Sequence, residues 1–167
     1  MRWDEIRRVE LPPQVPGQLY LMAMPGRQRP LEGDLERLRA LGVSVIVSLA
    51  PPDEIADKSP DYAAAIASGA LPFPLETCPI DNGGVPEDLG AFRRFLEGAA
   101  RRLRAGERLL LHCSAGVGRT GTAAVGVLLA LGLPLDEALD LVRRAGSYPE
   151  TAEQHQVLRL LAEGLSG

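Results

Sequence analysis

The chain has 167 residues, 46% of them apolar, a formal net charge of −4 and a pI of about 5.3. That length and apolar content fit one domain with its own hydrophobic core. The negative charge argues against nonspecific binding to nucleic acid or to an anionic membrane, because both attract cationic proteins.

Strands and helices alternate in the first half of the chain. Residues 1–17 are expected to form an extended lead-in, because three prolines lie between 11 and 17. Ser59 before Pro60 is typical of a helix N-cap followed by the first helical residue. Leucine spacing and β-branched runs supply the other signals. Together they predict strands over 18–23, 43–49 and 74–80, and helices over 31–41 and 60–69.

Helices dominate the second half, after a turn-rich loop over 81–86 with the sequence DNGGVP. The predicted elements are a strand over 108–112 and helices over 89–103, 119–131, 135–144 and 151–163. The helix over 119–131 is apolar on almost every face and should be buried. Thr151 and Gln154 match a capping box. The order predicts an α/β fold: one domain with a central, mainly parallel twisted sheet, flanking helices and a C-terminal helical cluster.

A glycine-rich loop connects the strand that ends at His112 to the buried helix. In such sheets ligands bind at the carboxyl ends of strands, and this loop lies at one of them. Gly116 and Gly118 permit a tight turn whose backbone N–H groups can face inward, and the helix adds its positive end. We therefore expect the loop to bind a phosphate-like dianion.

Cys113 opens that loop, and Arg119 follows six residues later. A helix N-terminus and inward N–H groups favour a thiolate, which would make Cys113 a nucleophile at neutral pH. The planar fork of Arg119 can hold two phosphate oxygens, which lysine cannot do with the same geometry. Thr120 can donate a hydrogen bond to the cysteine sulfur as it leaves.

The segment HCSAGVGRTG (residues 112–121) resembles the signature His-Cys-x5-Arg-(Ser/Thr) of the cysteine-dependent protein tyrosine phosphatases. The segments LGVSVIVSL and PETAEQ resemble the compact dual-specificity group, and PGQLYLMAMPGRQRP and PIDNGGVPED its kinase-associated branch. The resemblance implies a phosphocysteine intermediate, a phosphorylated protein or peptide as substrate, and neither metal nor cofactor. It implies a phosphate loop built from Ser114, Ala115, Gly116, Val117, Gly118 and Arg119.

The family also implies an aspartic acid about thirty residues before the cysteine, which protonates the leaving oxygen. Asp81 lies 32 residues before Cys113 (113 − 81) and is the predicted general acid. In the kinase-associated branch the acid directly precedes the Gly-Gly pair, and Asn82 stands there in this chain. Asp88 is the alternative, although it is expected in the first turn of a helix, where acids are common.

Several other polar residues have supporting or structural interpretations. His112 is expected to order the loop through hydrogen bonds rather than act as a base, and His155 has no predicted partner. Larger relatives carry QTxxQ, with one glutamine positioning the hydrolytic water; Gln154 matches the second glutamine, but Glu150 replaces the first. The arginines at 101, 102 and 104 are predicted to lie on a solvated helix face.

The two cysteines, Cys78 and Cys113, are too few for a disulfide scaffold. The family allows a reversible disulfide between them, but a small buried residue is the simpler interpretation of Cys78. No secretory signal is visible in the first ten residues, and the longest uncharged stretch, 120–135, is too short to span a bilayer. These observations predict a cytoplasmic protein without a metal site, and they leave the oligomeric state open, with a monomer as one option.

Two other functions remain open from the sequence. The chain could bind phosphoproteins without turnover, since Asn82 stands where an acid is expected. It could also transfer sulfur as rhodanese does, although the glycines and Arg119 suit phosphate better. Intact Cys113 and Arg119 favour a phosphatase.

Overall fold

A five-stranded sheet forms the centre of the computed structural model, which describes residues 5–165. The strands are β1 (Arg7–Val9), β2 (Gln18–Met22), β3 (Val45–Ser48), β4 (Leu75–Thr77) and β5 (Arg108–His112). Across the sheet their order is β1-β2-β5-β3-β4. β1 is antiparallel to β2, and the other neighbouring pairs are parallel. The predicted mainly parallel α/β sheet is confirmed.

Seven helices occur in the described part of the chain. They are α1 (Leu31–Ala40), α2 (Pro52–Lys58), α3 (Pro60–Ser68), α4 (Leu89–Arg104), α5 (Gly118–Ala130), α6 (Leu135–Arg144) and α7 (Ala152–Leu165). Each predicted helix is present, with ends that differ by at most a few residues, as is usual for terminal turns. α5 is buried along nearly its whole length, as its apolar sequence predicts.

Two elements were missed by the sequence analysis. β1 lies inside the predicted lead-in, where it pairs with β2 at the edge of the sheet; residues 1–4 of that lead-in fall outside the described residues. α2 has seven residues, too few to show helical periodicity. Its start signals were nevertheless present, because a proline opens it and Asp53 and Glu54 lie in its first turn.

The predicted caps had different outcomes. Ser59 does occupy the N-cap position of α3, with Pro60 as the first helical residue, but its hydroxyl donates to the Pro25 carbonyl at 2.8 Å and makes no cap hydrogen bond. The Thr151–Gln154 pair does cap α7, since the Gln154 N–H donates to the Thr151 hydroxyl at 3.1 Å and the Thr151 N–H donates to the Gln154 amide oxygen at 3.2 Å.

The core lies on both faces of β5. Leu109 and Leu111 pack into the larger cluster with α4, α5 and α7, whereas Leu110 packs with Leu38 of α1 on the opposite face. This alternation is the period-2 pattern of a strand buried on both sides. β5 is therefore the fixed centre of the sheet, and the loop that follows it starts from a rigid position.

Candidate active site

The loop between β5 and α5 is shaped to receive an anion. Backbone N–H groups of residues 114–119 donate to no acceptor within the described part of the chain. The first turn of α5 adds its own orphan N–H groups and the positive end of the helix. Gly116 turns the loop with φ +78°, and a Cβ there would lie 2.5 Å from the Met22 carbonyl oxygen. Only glycine fits this position without moving β2.

Cys113 lies at the floor of this loop and is 3% exposed. The hydroxyl of Thr120 donates a hydrogen bond to its Sγ at 3.0 Å. This places Thr120 on the sulfur, where the sequence analysis expected it. A hydroxyl donor favours the charged form of an acceptor sulfur.

Arg119 is held by a partner that the sequence analysis missed. Its guanidinium is 2% exposed and forms a two-point ion pair with Glu54 of α2: Nη2 donates to Oε2 at 2.7 Å and Nη1 to Oε1 at 3.2 Å. Nη1 also donates to the Ile80 carbonyl at 2.8 Å. The two-point geometry fixes the plane of the guanidinium. The position of Glu54, 65 residues earlier, gives no sequence signal for this contact.

A second buried arginine supports the loop from behind. Arg7 of β1 donates from Nη2 to the Gly116 carbonyl at 2.9 Å and from Nη1 to the Ser147 hydroxyl at 2.8 Å. The Ser147 hydroxyl donates to the same Gly116 carbonyl at 2.6 Å. A trans peptide points its carbonyl and N–H in opposite directions, so this clamp turns the Val117 N–H away from Arg7.

The charge of Arg7 also acts on the site. Burial lowers the pKa of the Arg7 guanidinium, and the negative charge of Cys113 opposes that shift. The Nε of Arg7 is buried without a hydrogen-bond partner among the described residues. Arginine remains protonated in proteins. Arg7 therefore places a poorly solvated positive charge within electrostatic reach of Cys113, although it lies in the segment predicted as a lead-in.

His112 orders the start of the loop, as expected. Its Nδ1 donates to the Cys113 carbonyl at 2.9 Å, so its unprotonated Nε2 accepts from the Tyr62 hydroxyl at 2.8 Å. Burial, with the positive charge of Arg119 adding to it, lowers the pKa of His112 to about 4. His112 is therefore neutral at physiological pH and links β5 to α3.

The catalytic pocket encloses about 150 Å³. Its walls include Arg27, Lys58, Asn82, Cys113, Ser114, Ala115, Gly118, Arg119 and Glu150. Within the described residues Asn82, and not Asp81, is the member of the 81–86 loop that lines it, and Arg119 Nη2 donates to the Asn82 side-chain oxygen at 3.4 Å.

Asp81 and Asp88 both lie in a neighbouring groove of about 560 Å³. Asp88 caps α4 by accepting from the Ala91 N–H at 3.0 Å, one residue before the first turn in which the sequence analysis expected it. Asp81 is exposed and its carbonyl accepts from the Gly84 N–H at 2.8 Å. For Asp81 to act as the general acid that the sequence predicts, the 81–86 loop must change its conformation so that the Asp81 carboxyl group enters the pocket.

Glu150 and Gln154 have different positions. The carboxyl group of Glu150 lies in the pocket against Gly118, at the start of α5. Gln154 is fully buried in the wall: its amide oxygen accepts from the Glu150 N–H at 2.7 Å and its Nε2 donates to the Gly84 carbonyl at 3.2 Å. The structure therefore brings Glu150, but not Gln154, to the pocket; Gln154 ties the 81–86 loop to α7.

The remaining candidates lie outside the pocket. Cys78 and Cys113 are both free, and burial raises the pKa of Cys78, which lines the neighbouring groove. His155 is half-buried on α7. Arg102 pairs with Glu76 and Glu107 on the surface of α4, in keeping with the predicted solvated face. Residues 5–165 contain no group of side chains able to hold a metal ion and no helix able to cross a membrane.

Comparison with known proteins agrees with this geometry. A protein of Cupriavidus necator described as a tyrosine-protein phosphatase is 31% identical over 145 residues, which cover 74% of this chain and 51% of that protein. The chain thus spans about half of that relative's length.

Two solved structures share the fold. Kinase associated phosphatase (KAP), with its catalytic-site cysteine replaced by serine, superposes with a TM-score of 0.84 at 21% identity, covering 100% of this chain and 98% of that one. The active form of Tk-PTP has a TM-score of 0.68 at 26% identity, covering 97% and 99%.

Residues 14–165 match the family model PTP-SAK, described as a Swiss Army Knife protein, DSP-PTPase phosphatase domain. That match spans nearly the whole chain, including β2 to β5 and the loop of Cys113. The chain belongs to this family and is a cysteine-dependent phosphatase domain of the compact dual-specificity group.

Proposed function

We propose that this domain hydrolyses phosphotyrosine in proteins, and also phosphoserine and phosphothreonine, through a phosphocysteine intermediate. One observation carries the proposal: the Sγ of Cys113 lies at the floor of a pocket with free backbone N–H groups and accepts from Thr120 at 3.0 Å. A nucleophile at the base of an anion site suits attack on phosphorus.

In the first step the Cys113 thiolate attacks phosphorus, and the bond to the leaving oxygen breaks. The charge that develops on the phosphoryl oxygens is met by the loop N–H groups of residues 114–119 and by Arg119. In the second step water attacks the phosphocysteine, which releases inorganic phosphate and restores the thiolate. Thr120 stabilises the sulfur as it leaves.

The leaving oxygen needs a proton, and we assign this role to Asp81. Asp81 reaches the pocket if the 81–86 loop turns by one residue, so that its carboxyl group replaces the side chain of Asn82. Gly83, with φ +76° and open space around it, gives the loop a pivot. Glu150, already in the pocket, is the group best placed to orient the attacking water.

The position of Asn82 also favours a second candidate, a phosphoprotein-binding module. If the loop stays as observed, the pocket binds phosphate and supplies no acid to the leaving group. The nucleophile, Arg119 and Thr120 are nevertheless in place. A domain of this kind would bind phosphopeptides and release them unchanged.

Hydrolysis of p-nitrophenyl phosphate between pH 5 and 8, in EDTA and reductant, tests the proposal. We expect activity in the wild-type domain and none in Cys113→Ser. Inactive, freshly reduced wild type that binds phosphopeptides would favour the binding module, and turnover of thiosulfate would indicate sulfur transfer. The reductant is needed because an oxidised thiol cannot attack phosphorus. Because the cytoplasm keeps thiols reduced, we propose that the domain acts there.

A further inference from the structure

The side chain of Asn82 lines the catalytic pocket but has no role in the chemistry above. Asn82 is the only asparagine among the 167 residues, and a glycine follows it. Asn82 and Gly83 are both exposed and form the centre of a turn, in which the Gly84 N–H donates to the Asp81 carbonyl at 2.8 Å. The one Asn-Gly pair of the chain therefore lies at the pocket of Cys113.

An asparagine that precedes a glycine can react with its own backbone. The nitrogen of the glycine gives up its proton to solvent and attacks the side-chain carbonyl carbon, and ammonia leaves with a proton from solvent. Glycine favours this attack because it has no Cβ beside the reacting nitrogen.

The product of that attack is a succinimide ring, which water opens. If the bond from the nitrogen to the side-chain carbonyl breaks, aspartate is formed; if the bond to the main-chain carbonyl breaks, isoaspartate is formed. Over the two steps one amide group and one water molecule become one carboxylate and one ammonium ion. The reaction needs no oxidant, reductant or enzyme.

The structure leaves the reacting groups available. The Gly83 N–H donates to no acceptor within residues 5–165, so no hydrogen bond has to break before the nitrogen attacks. A Cβ at Gly83 would meet nothing within 4 Å, which gives the turn room to rotate. Because both residues are exposed, water can reach the ring.

Arg119 acts on the group that is attacked. Its Nη2 donates to the side-chain oxygen of Asn82 at 3.4 Å. This contact draws electron density away from the carbonyl carbon and stabilises the negative charge that forms on the oxygen during the attack. The pocket therefore favours the reaction beyond what the Asn-Gly sequence alone provides.

We propose that Asn82 is a site of spontaneous deamidation, and that the aspartate formed there acts as a second general acid. The second half of this inference rests on the proposed function. A carboxyl group in place of the Asn82 amide lies in the pocket without the loop movement that Asp81 requires. A phosphate dianion held by Arg119 places negative charge beside that carboxyl group, which favours its protonated form.

Peptide mapping of the folded domain during incubation at pH 8 in labelled water tests the modification. We expect the peptide that contains Asn82 to change in mass from an amide to a carboxyl group and to take up one heavy oxygen atom. The exposed Gln14 and Gln28 are internal controls, because their longer side chains close a ring more slowly. Conversion of Asn82 no faster than conversion of these glutamines would overturn the proposal.

Kinetics in a background without Asp81 test the second acid. Asp81→Ala keeps the carbonyl that holds the turn and removes the exposed side chain. Adding Asn82→Asp to it should raise kcat for an alkyl phosphate about tenfold or more, with a smaller gain for p-nitrophenyl phosphate, whose leaving group needs no proton. Adding Asn82→Gln instead keeps an amide and should give no gain.

The modified protein itself should behave as the Asn82→Asp variant does. Asp81→Ala protein incubated in reductant should gain activity on the alkyl phosphate in proportion to the fraction of aspartate at position 82. No gain, or equal gains with both substrates, would overturn the role as an acid. If neither the wild type nor Asn82→Asp hydrolyses p-nitrophenyl phosphate, the proposed function is refuted, whereas peptide mapping still decides whether Asn82 is modified.

Discussion

The two loops that face each other across the catalytic pocket are held very differently. The loop of residues 113–119 is fixed on several sides: Arg7 and Ser147 hold the Gly116 carbonyl, and Glu54 and Ile80 hold Arg119. The 81–86 loop is exposed along its first half. It has one internal turn, the contact of Gln154 to the Gly84 carbonyl at 3.2 Å and the contact of Arg119 to Asn82 at 3.4 Å.

This difference separates two tasks. A phosphate site works best when its donors are already oriented, because none of the binding energy is then spent on ordering them. A general acid, in contrast, can be delivered by a loop that closes over the bound substrate. We therefore expect the largest loss of activity from a change in the loop of residues 113–119, a smaller one from the 81–86 loop, and the smallest from the contacts behind residues 113–119.

Replacing the planar guanidinium of Arg119 should reduce activity the most. Arg119→Lys keeps the charge but loses the two-point contact to Glu54 that fixes the guanidinium in the pocket, and we expect kcat/KM for p-nitrophenyl phosphate to fall by about 10²–10³-fold. Arg102→Lys is the matched control, since Arg102 pairs with acids on the surface of α4. If kcat/KM falls no further in Arg119→Lys than in Arg102→Lys, the guanidinium geometry of Arg119 is not needed for activity.

Neutralising Asp81 tests the 81–86 loop. Asp81→Asn should lower kcat about 10²-fold for an alkyl phosphate, whose leaving oxygen needs a proton, and much less for p-nitrophenyl phosphate. Asp88→Asn, which alters the neighbouring carboxylate at the cap of α4, is the control. If Asp88→Asn has the larger effect on the alkyl phosphate, the acid is Asp88. If the loss of kcat is the same for both leaving groups in each variant, neither the 81–86 loop nor Asp88 supplies the proton.

Removing Arg7 should loosen the fixed loop without touching the substrate. We expect Arg7→Met to lower kcat/KM by about 10–100-fold, the range seen when supporting contacts behind a ligand-binding group are lost. The rate at which iodoacetate alkylates Cys113 at pH 7 should fall, because a nearby positive charge is gone.

Two further variants make this result interpretable. Arg8→Met changes the next residue of β1, which is exposed, and should leave the rate of Cys113 alkylation unchanged. Ser147→Ala removes one donor to Gly116 and keeps the charge of Arg7, so it should reduce activity without slowing the alkylation of Cys113. If Cys113 is alkylated at the same rate in Arg7→Met as in the wild type, Arg7 has no electrostatic effect on Cys113.

The last prediction concerns stability rather than activity. The pKa of His112 is about 4 in the folded chain, below its ordinary value of 6.5, so the unfolded chain takes up this proton first as pH falls. The contribution of neutral His112 is complete above pH 6.5 and should be lost between 6.5 and 4, by up to about 3 kcal/mol.

Urea unfolding at several pH values measures this loss. His112→Gln should flatten the fall in unfolding free energy between pH 6.5 and 4, whereas His155→Gln, which changes the other histidine of the chain, should not. Identical pH dependence in the two variants would show that the fall comes from other groups.

The sequence predicted the catalytic loop well because its chemistry is local. Ten consecutive residues carry the proposed nucleophile, the arginine, the hydroxyl and the glycines, and the strand and helix beside them have clear apolar patterns. Thr120 on the sulfur and His112 in a structural role could both be inferred from that segment.

The supports of the loop could not be predicted in the same way. Arg7, Glu54 and Ser147 come from three distant parts of the chain and meet at the loop only through the sheet order. β1 and α2 are also too short to show periodicity. Whether Asp81 or Asn82 faces the pocket depends on the conformation of the turn around Gly83. A shift of the loop by one residue changes no feature of the sequence, so the sequence cannot show which side chain enters the pocket.

The central claim is that the sulfur of Cys113 carries the phosphoryl group during turnover. Rapid mixing of the wild-type domain with p-nitrophenyl phosphate, acid quench within milliseconds and mass spectrometry of the digested protein tests it most directly. We predict a peptide containing Cys113 that is heavier by one phosphoryl group and that is missing in Cys113→Ser. Turnover with no phosphorylated Cys113 peptide, or with the phosphoryl group on another residue, would contradict this account.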